Sequence, residues 1–144
     1  MSPKTEITIQ QTSRTPALGV AGLDHWIRRV VAELAPSTRS FTLRLVDDVE
    51  MEELNHRFRS RAETTDVLSF PGDESPEGRH LGDVVISVPR AQRQAKQTGH
   101  SLALEVRLLT LHGILHCLGY DHEVDDGGME RLELELRERW LRSV

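Results

Sequence analysis

Residues 101–118 read SLALEVRLLTLHGILHCL. Leu102, Leu104, Val106, Leu108, Leu109, Leu111, Ile114, Leu115 and Leu118 leave this stretch almost no polar stripe. A helix that is apolar nearly all round must be covered on most sides, so it is expected to run through the centre of the fold. Gly119 is placed to stop it, as a glycine just beyond a helix end commonly does. His112 and His116 interrupt this apolar segment.

Working outward, Glu6–Gln10 (EITIQ) alternates as a short strand does. From Leu23 to Ala35, Trp26, Ile27, Val30, Val31 and Leu34 share one helical face, and Pro36 stops the helix. Phe41, Leu43 and Leu45 alternate with Thr42 and Arg44, which predicts a second strand. Asp47 with Glu50 three residues on resembles a capping box, opening a helix whose buried stripe is Met51, Leu54 and Phe58. Val67–Phe70 and Leu81–Val88 read as strands joined by the turn-rich PGDESPEGRH, and Pro89 suits the first turn of a helix ending near Gly99. A last helix, about Asp126 to Leu141, is expected to bury Met129, Leu132, Leu136 and Trp140. Its early acids and late arginines (Arg137, Arg139, Arg142) complement the helix dipole without invoking function. The pattern predicts an α+β fold: a small mixed sheet of about four strands with about five helices, the central one carrying the histidines.

The chain has 144 residues, 38% hydrophobic and 28% charged, and no internal repeat or long linker, so one domain over residues 1–144 is expected. No apolar stretch approaches the roughly 20 residues of a membrane span. Met1–Gln10 lacks the basic-then-apolar pattern of a secretory signal, and one cysteine excludes an internal disulfide framework. A cytoplasmic location follows as the expectation. Six aromatic residues are too few for an RRM- or OB-type stacking platform, and a net charge of −5 argues against non-specific coating of polyanions. Nucleic-acid contact would need a local patch. His56–Arg61 (HRFRSR) and Arg90–His100 (RAQRQAKQTGH) are the two acid-free basic windows, each also readable as a solvated helix face.

HGILHCLGYDH, His112–His122, carries the chemistry. Four residues apart on a helix, His112 and His116 differ by about 40° around the axis and ~6 Å along it, so both rings can reach one ion. Gly119 lets the chain turn back, and His122 can complete a triangle. Three neutral imidazoles suit zinc, one ion per chain, and leave a fourth position for water. Two unpaired buried imidazoles would otherwise cost stability. Cys117, about 100° from His116, reads as a small buried hydrophobe. The spacing H-x-x-x-H-x-x-G-x-x-H matches the metzincin ligand pattern except that Gly113 stands where those proteases carry their glutamate base.

HGILHCLGYDHE resembles the signature of the YbeY family of bacterial endoribonucleases. Leu54-Asn55 with Phe58-Arg59, Thr65-Asp66-Val67-Leu68-Ser69-Phe70, Leu81-Gly82-Asp83 and Gly99-His100-Ser101 fit the family's motifs in their order. The resemblance implies zinc at His112, His116 and His122, a conserved arginine at Arg59 and cleavage of single-stranded RNA. It also implies roles in ribosomal RNA maturation, including the small-subunit 3′ end, and in ribosome quality control. The chain departs from the family at Arg61–Thr64 (RAET for Lys-Asp-x-Pro) and at Pro89, where many members carry Glu.

Several alternatives stay open. Arg59 suits a phosphate beside the metal by its fork geometry, or snorkels over the core from its place after Phe58. Asp66 and Asp83 flank strands and read as turn or cap residues. Asp121 either orients His122 or finishes the turn. The leading reading is a zinc-dependent endoribonuclease. A metal hydrolase of another bond, such as an amide, and a non-catalytic, zinc-stabilised ribosome-assembly factor are the alternatives.

Overall fold

Ten elements follow one another in the computed structural model, which describes residues 5–12, 22–58, 67–119 and 128–141. They are β1 (Glu6–Gln11), α1 (Leu23–Leu34), β2 (Thr38–Val46), α2 (Asp48–Phe58), β3 (Val67–Pro71), β4 (Glu74–Ser75), β5 (Gly78–Ser87), α3 (Val88–Thr98), α4 (Leu102–Cys117) and α5 (Gly128–Leu141). The α+β expectation is met. The sheet runs β1-β2-β5-β3, with the two-residue β4 paired to β5. β1 and β5 flank β2 in parallel, while β3 is antiparallel to β5. β5 starts at Gly78 rather than Leu81, because Glu74↔Arg79 and Ser75↔Gly78 pairing folds the turn back onto it.

Local chemistry explains the helix ends. Ser87 caps α3, its Oγ accepting from the Arg90 amide, and Pro89 lies in the first turn. Ser101 caps α4 in the same way, its Oγ accepting from the Leu104 amide at 3.1 Å. Gly119, at φ +99°, takes the left-handed turn that ends α4.

The sheet is covered on both faces. Phe41, Leu43 and Leu45 of β2 and Leu81, Val84 and Ile86 of β5 join the larger core, with residues from α1, α3, α4 and α5. Val46, Leu68 and Val85 join Met51 of α2 in a smaller cluster. α4 crosses the sheet closely at Gly113, where a Cβ would lie 2.6 Å from Val84 Cγ1 and 3.1 Å from Ser69 Oγ. No larger residue fits there without displacing β5.

Two expectations for α2 are corrected. Phe58 is not part of its buried stripe but 52% exposed, its ring edge-on to Phe70 at 5.2 Å between centroids. Glu50 does not close a capping box, because its carboxylate is held by Arg44 Nη2 at 2.9 Å and Thr12 Oγ1 at 3.3 Å. Among the described residues no helix is long and apolar enough to cross a membrane.

Candidate metal centre

His112 and His116 lie in the last two turns of α4, both half-buried. Their Nε2 atoms converge to 3.1 Å, with the rings 68° apart in plane and 4.6 Å between centroids. Two nitrogens on one tetrahedral zinc, each bonded at about 2.0–2.1 Å, stand about 3.3 Å apart. The pair is therefore already near the separation that an ion would impose. The core fixes it, since Val106, Leu111, Ile114 and Leu115 on the other sides of α4 are buried and leave the helix no freedom to rotate.

The opposite edge of the His112 ring is held as well. Nδ1 donates to Glu133 Oε1 of α5 at 3.2 Å. That bond keeps the proton on Nδ1 and leaves the Nε2 lone pair for a metal, the usual arrangement of a carboxylate behind a ligating histidine. Glu133 is 8% exposed, and Arg137 Nη2, one turn on, lies 3.8 Å from the same oxygen. The donor set fits zinc: two imidazole nitrogens aimed at one point, one ring backed by a buried carboxylate.

Glu133 is the residue behind His112 that the dipole reading of the acidic run passes over. Its signal is one of phase. Glu133 sits four residues after Met129 and three before Leu136, inside the stripe of α5 expected to be buried. An acid in an apolar stripe needs a buried partner. Here the partner is an imidazole 21 residues earlier in the chain.

His122, the third ligand expected from sequence, lies outside the described residues, as do Arg59, Asp66 and Asp121. Among the described residues no cluster of three or more His, Cys, Asp or Glu side chains is arranged to hold an ion. Asp83 is engaged with a different histidine. It accepts from His80 Nε2 at 2.6 Å, and His80 Nδ1 lies 2.7 Å from Ser40 Oγ, which ties β2 to β5 where their register shifts. Cys117 is buried, as expected of a core residue, with Sγ against Gly82. A cleft of about 300 Å³, bordered by His112, Glu133, Glu105, Leu108 and His100, opens beside His112. Its volume is at the lower end of small-molecule sites.

The two basic windows part company. In the second, Arg90 Nε and Arg93 Nη2 both hold the Asp48 carboxylate, at 3.2 and 3.1 Å, and Ser87 Oγ donates to it at 2.7 Å. Burial raises the Asp48 pKa, but the Ser87 hydroxyl and the two guanidinium groups outweigh it and bring the carboxyl below its ordinary range. Two of that window's cations thus clamp α2 to α3.

The family model described as Endoribonuclease YbeY matches residues 7–141 of this sequence. The chain belongs to the YbeY endoribonuclease family. A YbeY relative from Nautilia profundicola is 50% identical over 98 residues, covering 68% of this chain and 70% of its own. Another from Aquifex aeolicus is 42% identical over 122 residues, covering 84% and 80%. A third, from Solibacter usitatus, is 43% identical over 129 residues, covering 90% and 78%. A Thermotoga maritima protein solved in solution superposes with a TM-score of 0.59 at 24% identity, over 95% of this chain and 93% of that one, which shows a shared fold. The match of the family model, residues 7–141, spans every element of the fold.

Proposed function

We propose that this chain is a single-domain, zinc-dependent, single-strand-specific endoribonuclease of ribosomal RNA maturation, including the small-subunit 3′ end, and of ribosome quality control. It works in the cytoplasm on ribosomal RNA and the ribosome, with one zinc held by His112, His116 and His122. The observation that carries this reading is the convergence of His112 and His116 Nε2 at 3.1 Å, with Glu133 behind His112. Membership of a family named for endoribonuclease activity supports the choice of substrate.

Held by His112, His116 and His122, a zinc ion would supply Lewis-acid help to a phosphoryl oxygen and would make a water more acidic. The chain supplies the rest. His112 is held in one tautomer and one orientation by Glu133, and α4 is pinned by its core contacts, so its two imidazoles need no rearrangement. Arg59, in the HRFRSR window, is assigned to clamp the scissile phosphate, which its planar fork suits better than a lysine would. Amide hydrolysis is disfavoured on two counts. Gly113 offers no general base, and its Cα faces Val84 and Ser69 of the sheet, so the position that carries a base in metzincins is filled by strand atoms here.

The test is cleavage of precursor ribosomal RNA and of peptide in parallel, with and without a chelator. Chelator-sensitive cleavage of RNA alone is expected. Peptide cleavage, or RNA cleavage indifferent to chelation, would overturn the proposal. A folded but inactive chelated protein is also expected, because the apolar core closes over α4 without a metal; unfolding on chelation would instead mark a structural zinc.

A further inference from the structure

Phe58 ends α2 on the surface, and it is the only aromatic ring more than half exposed among the described residues. An exposed ring at a helix end normally costs hydrophobic free energy without return. This one is held in place. Phe70 of β3, itself half-buried against the smaller core, presents an edge-to-face contact at 5.2 Å and 71°. One side of the Phe58 ring is thereby oriented by a rigid strand and the remainder faces solvent.

The electrostatic surroundings say what would cover it. His56 and Arg57, just before Phe58 in α2, are exposed, and among the described residues neither is engaged in an ion pair. Residues 56–61 hold three arginines and a histidine with no acid. The competing basic window is spent on Asp48 through Arg90 and Arg93. Of the two windows, only the first therefore sets an exposed arginine, Arg57, beside an aromatic face.

β3 is shared by the two sides of the sheet: the Phe70 ring packs on the α2 side, while the backbone of the strand reaches α4 on the other. A Cβ on Gly82 would lie 2.6 Å from the Phe70 carbonyl oxygen and 2.6 Å from Cys117 Sγ. Cys117 directly follows His116. The strand that buttresses Phe58 therefore meets the end of α4 that carries the candidate ligands.

We infer that Phe58, buttressed by Phe70 and flanked by His56 and Arg57, is a stacking site for one unpaired base of a single-stranded nucleic acid. The inference rests on the ribonuclease reading for its biological substrate, but not for its binding chemistry. Every base has a π-face, and duplex bases are already stacked. One such ring favours single strands without specifying sequence, and does so without the multi-ring platform that the composition excludes.

The test uses the full-length, zinc-loaded chain and a fluorescent single-stranded deoxyoligonucleotide of mixed sequence, which lacks the 2′-hydroxyl and serves as a binding probe. Phe58→Leu keeps the bulk but removes the ring, and Phe58→Tyr keeps the ring. Loss of one base–aromatic stack should weaken binding about five- to a hundredfold in Phe58→Leu, while Phe58→Tyr stays within about twofold of wild type. The melting temperature should hardly move, and binding to a blunt duplex should be equal in all three proteins. Wild-type affinity in Phe58→Leu would overturn the inference. So would a lower melting temperature with unchanged binding, since the ring would then be covered by the chain itself. Binding that follows this pattern in a protein unable to cut RNA would uphold the stacking site while refuting the nuclease reading.

Discussion

Replacing Glu133 tests whether the carboxylate behind His112 serves the metal. In the folded protein, Glu133 Oε1 accepts from His112 Nδ1 at 3.2 Å, in a setting where the Glu133 side chain is 11% exposed and that of His112 is 19% exposed. Little water is at hand to replace the lost partner. Glu133→Ala therefore frees the His112 ring to turn and to shift its proton to Nε2, the nitrogen a metal needs bare. Removal of such a carboxylate typically weakens metal binding about 10–100-fold. That loss corresponds to about 1.4–2.7 kcal/mol. Glu133→Gln keeps an oxygen acceptor at the same reach and should lose less. The assay is zinc competition against a calibrated chelator, with nitrogen-15 NMR of the His112 ring in the zinc-free protein reporting the tautomer. Wild-type should show the proton on Nδ1, and Glu133→Ala a mixture. If Glu133→Ala binds zinc as tightly as wild type with the tautomer unchanged, Glu133 merely anchors α5 and the reasoning fails.

Further outcomes follow from the same geometry. His116→Ala should lose stoichiometric zinc, measured by elemental analysis, while circular dichroism shows a folded domain, because His116 is half-buried rather than core; retained wild-type zinc would remove it from the ligand set. Gly113→Glu, which restores the metzincin-like motif on paper, should yield no peptidase. The new side chain enters against Val84, 2.6 Å from the Cβ position. Overpacking and a buried, unpaired charge should together cost more than about 3 kcal/mol, read as a loss of thermal stability; a stable variant would show that α4 can move off the sheet. Asp48→Asn should lower stability at pH 7 by less than about 1 kcal/mol, because a carboxylate this exposed is screened. The Asp48 carboxyl titrates lower in the folded than in the unfolded protein, so its contribution is present at neutral pH and lost on acidification below about pH 4. Denaturation of the two proteins should then converge at low pH, and a difference that persists there would assign the effect to packing. Arg59→Ala should cut RNA turnover by roughly one to two orders of magnitude, the loss of a charge-assisted contact of about 1.5–3 kcal/mol, with zinc content and melting temperature unchanged. Arg59→Lys should recover part of it. Normal turnover in Arg59→Ala would exclude a phosphate clamp.

What could be read from sequence was local. The apolar run of α4, the glycine that ends it and the four-residue spacing of His112 and His116 all act within a few turns of one helix, so α4 and the direction of its imidazoles were legible in advance. The alternation of Phe41, Leu43 and Leu45 marked β2 for the same reason. The depth to which each side chain is covered depends on segments far away in the chain, and there the pattern was insufficient. Phe58 fits the period of a buried stripe, yet it lies past the end of the small cluster around Met51, where its ring meets Phe70 edge-on and stays half exposed. Arg90 and Arg93 read as a basic patch until α3 is laid beside α2, 42 residues away for Arg90, and Asp48 is found between them. Glu133 looked like dipole compensation until α5 docked on α4 and set its carboxylate against His112. Periodicity constrains which face of an element is apolar. Only tertiary contact decides which polar group on that face has a partner, because the energy of a buried charge is set by the atoms it meets and not by its neighbours in sequence.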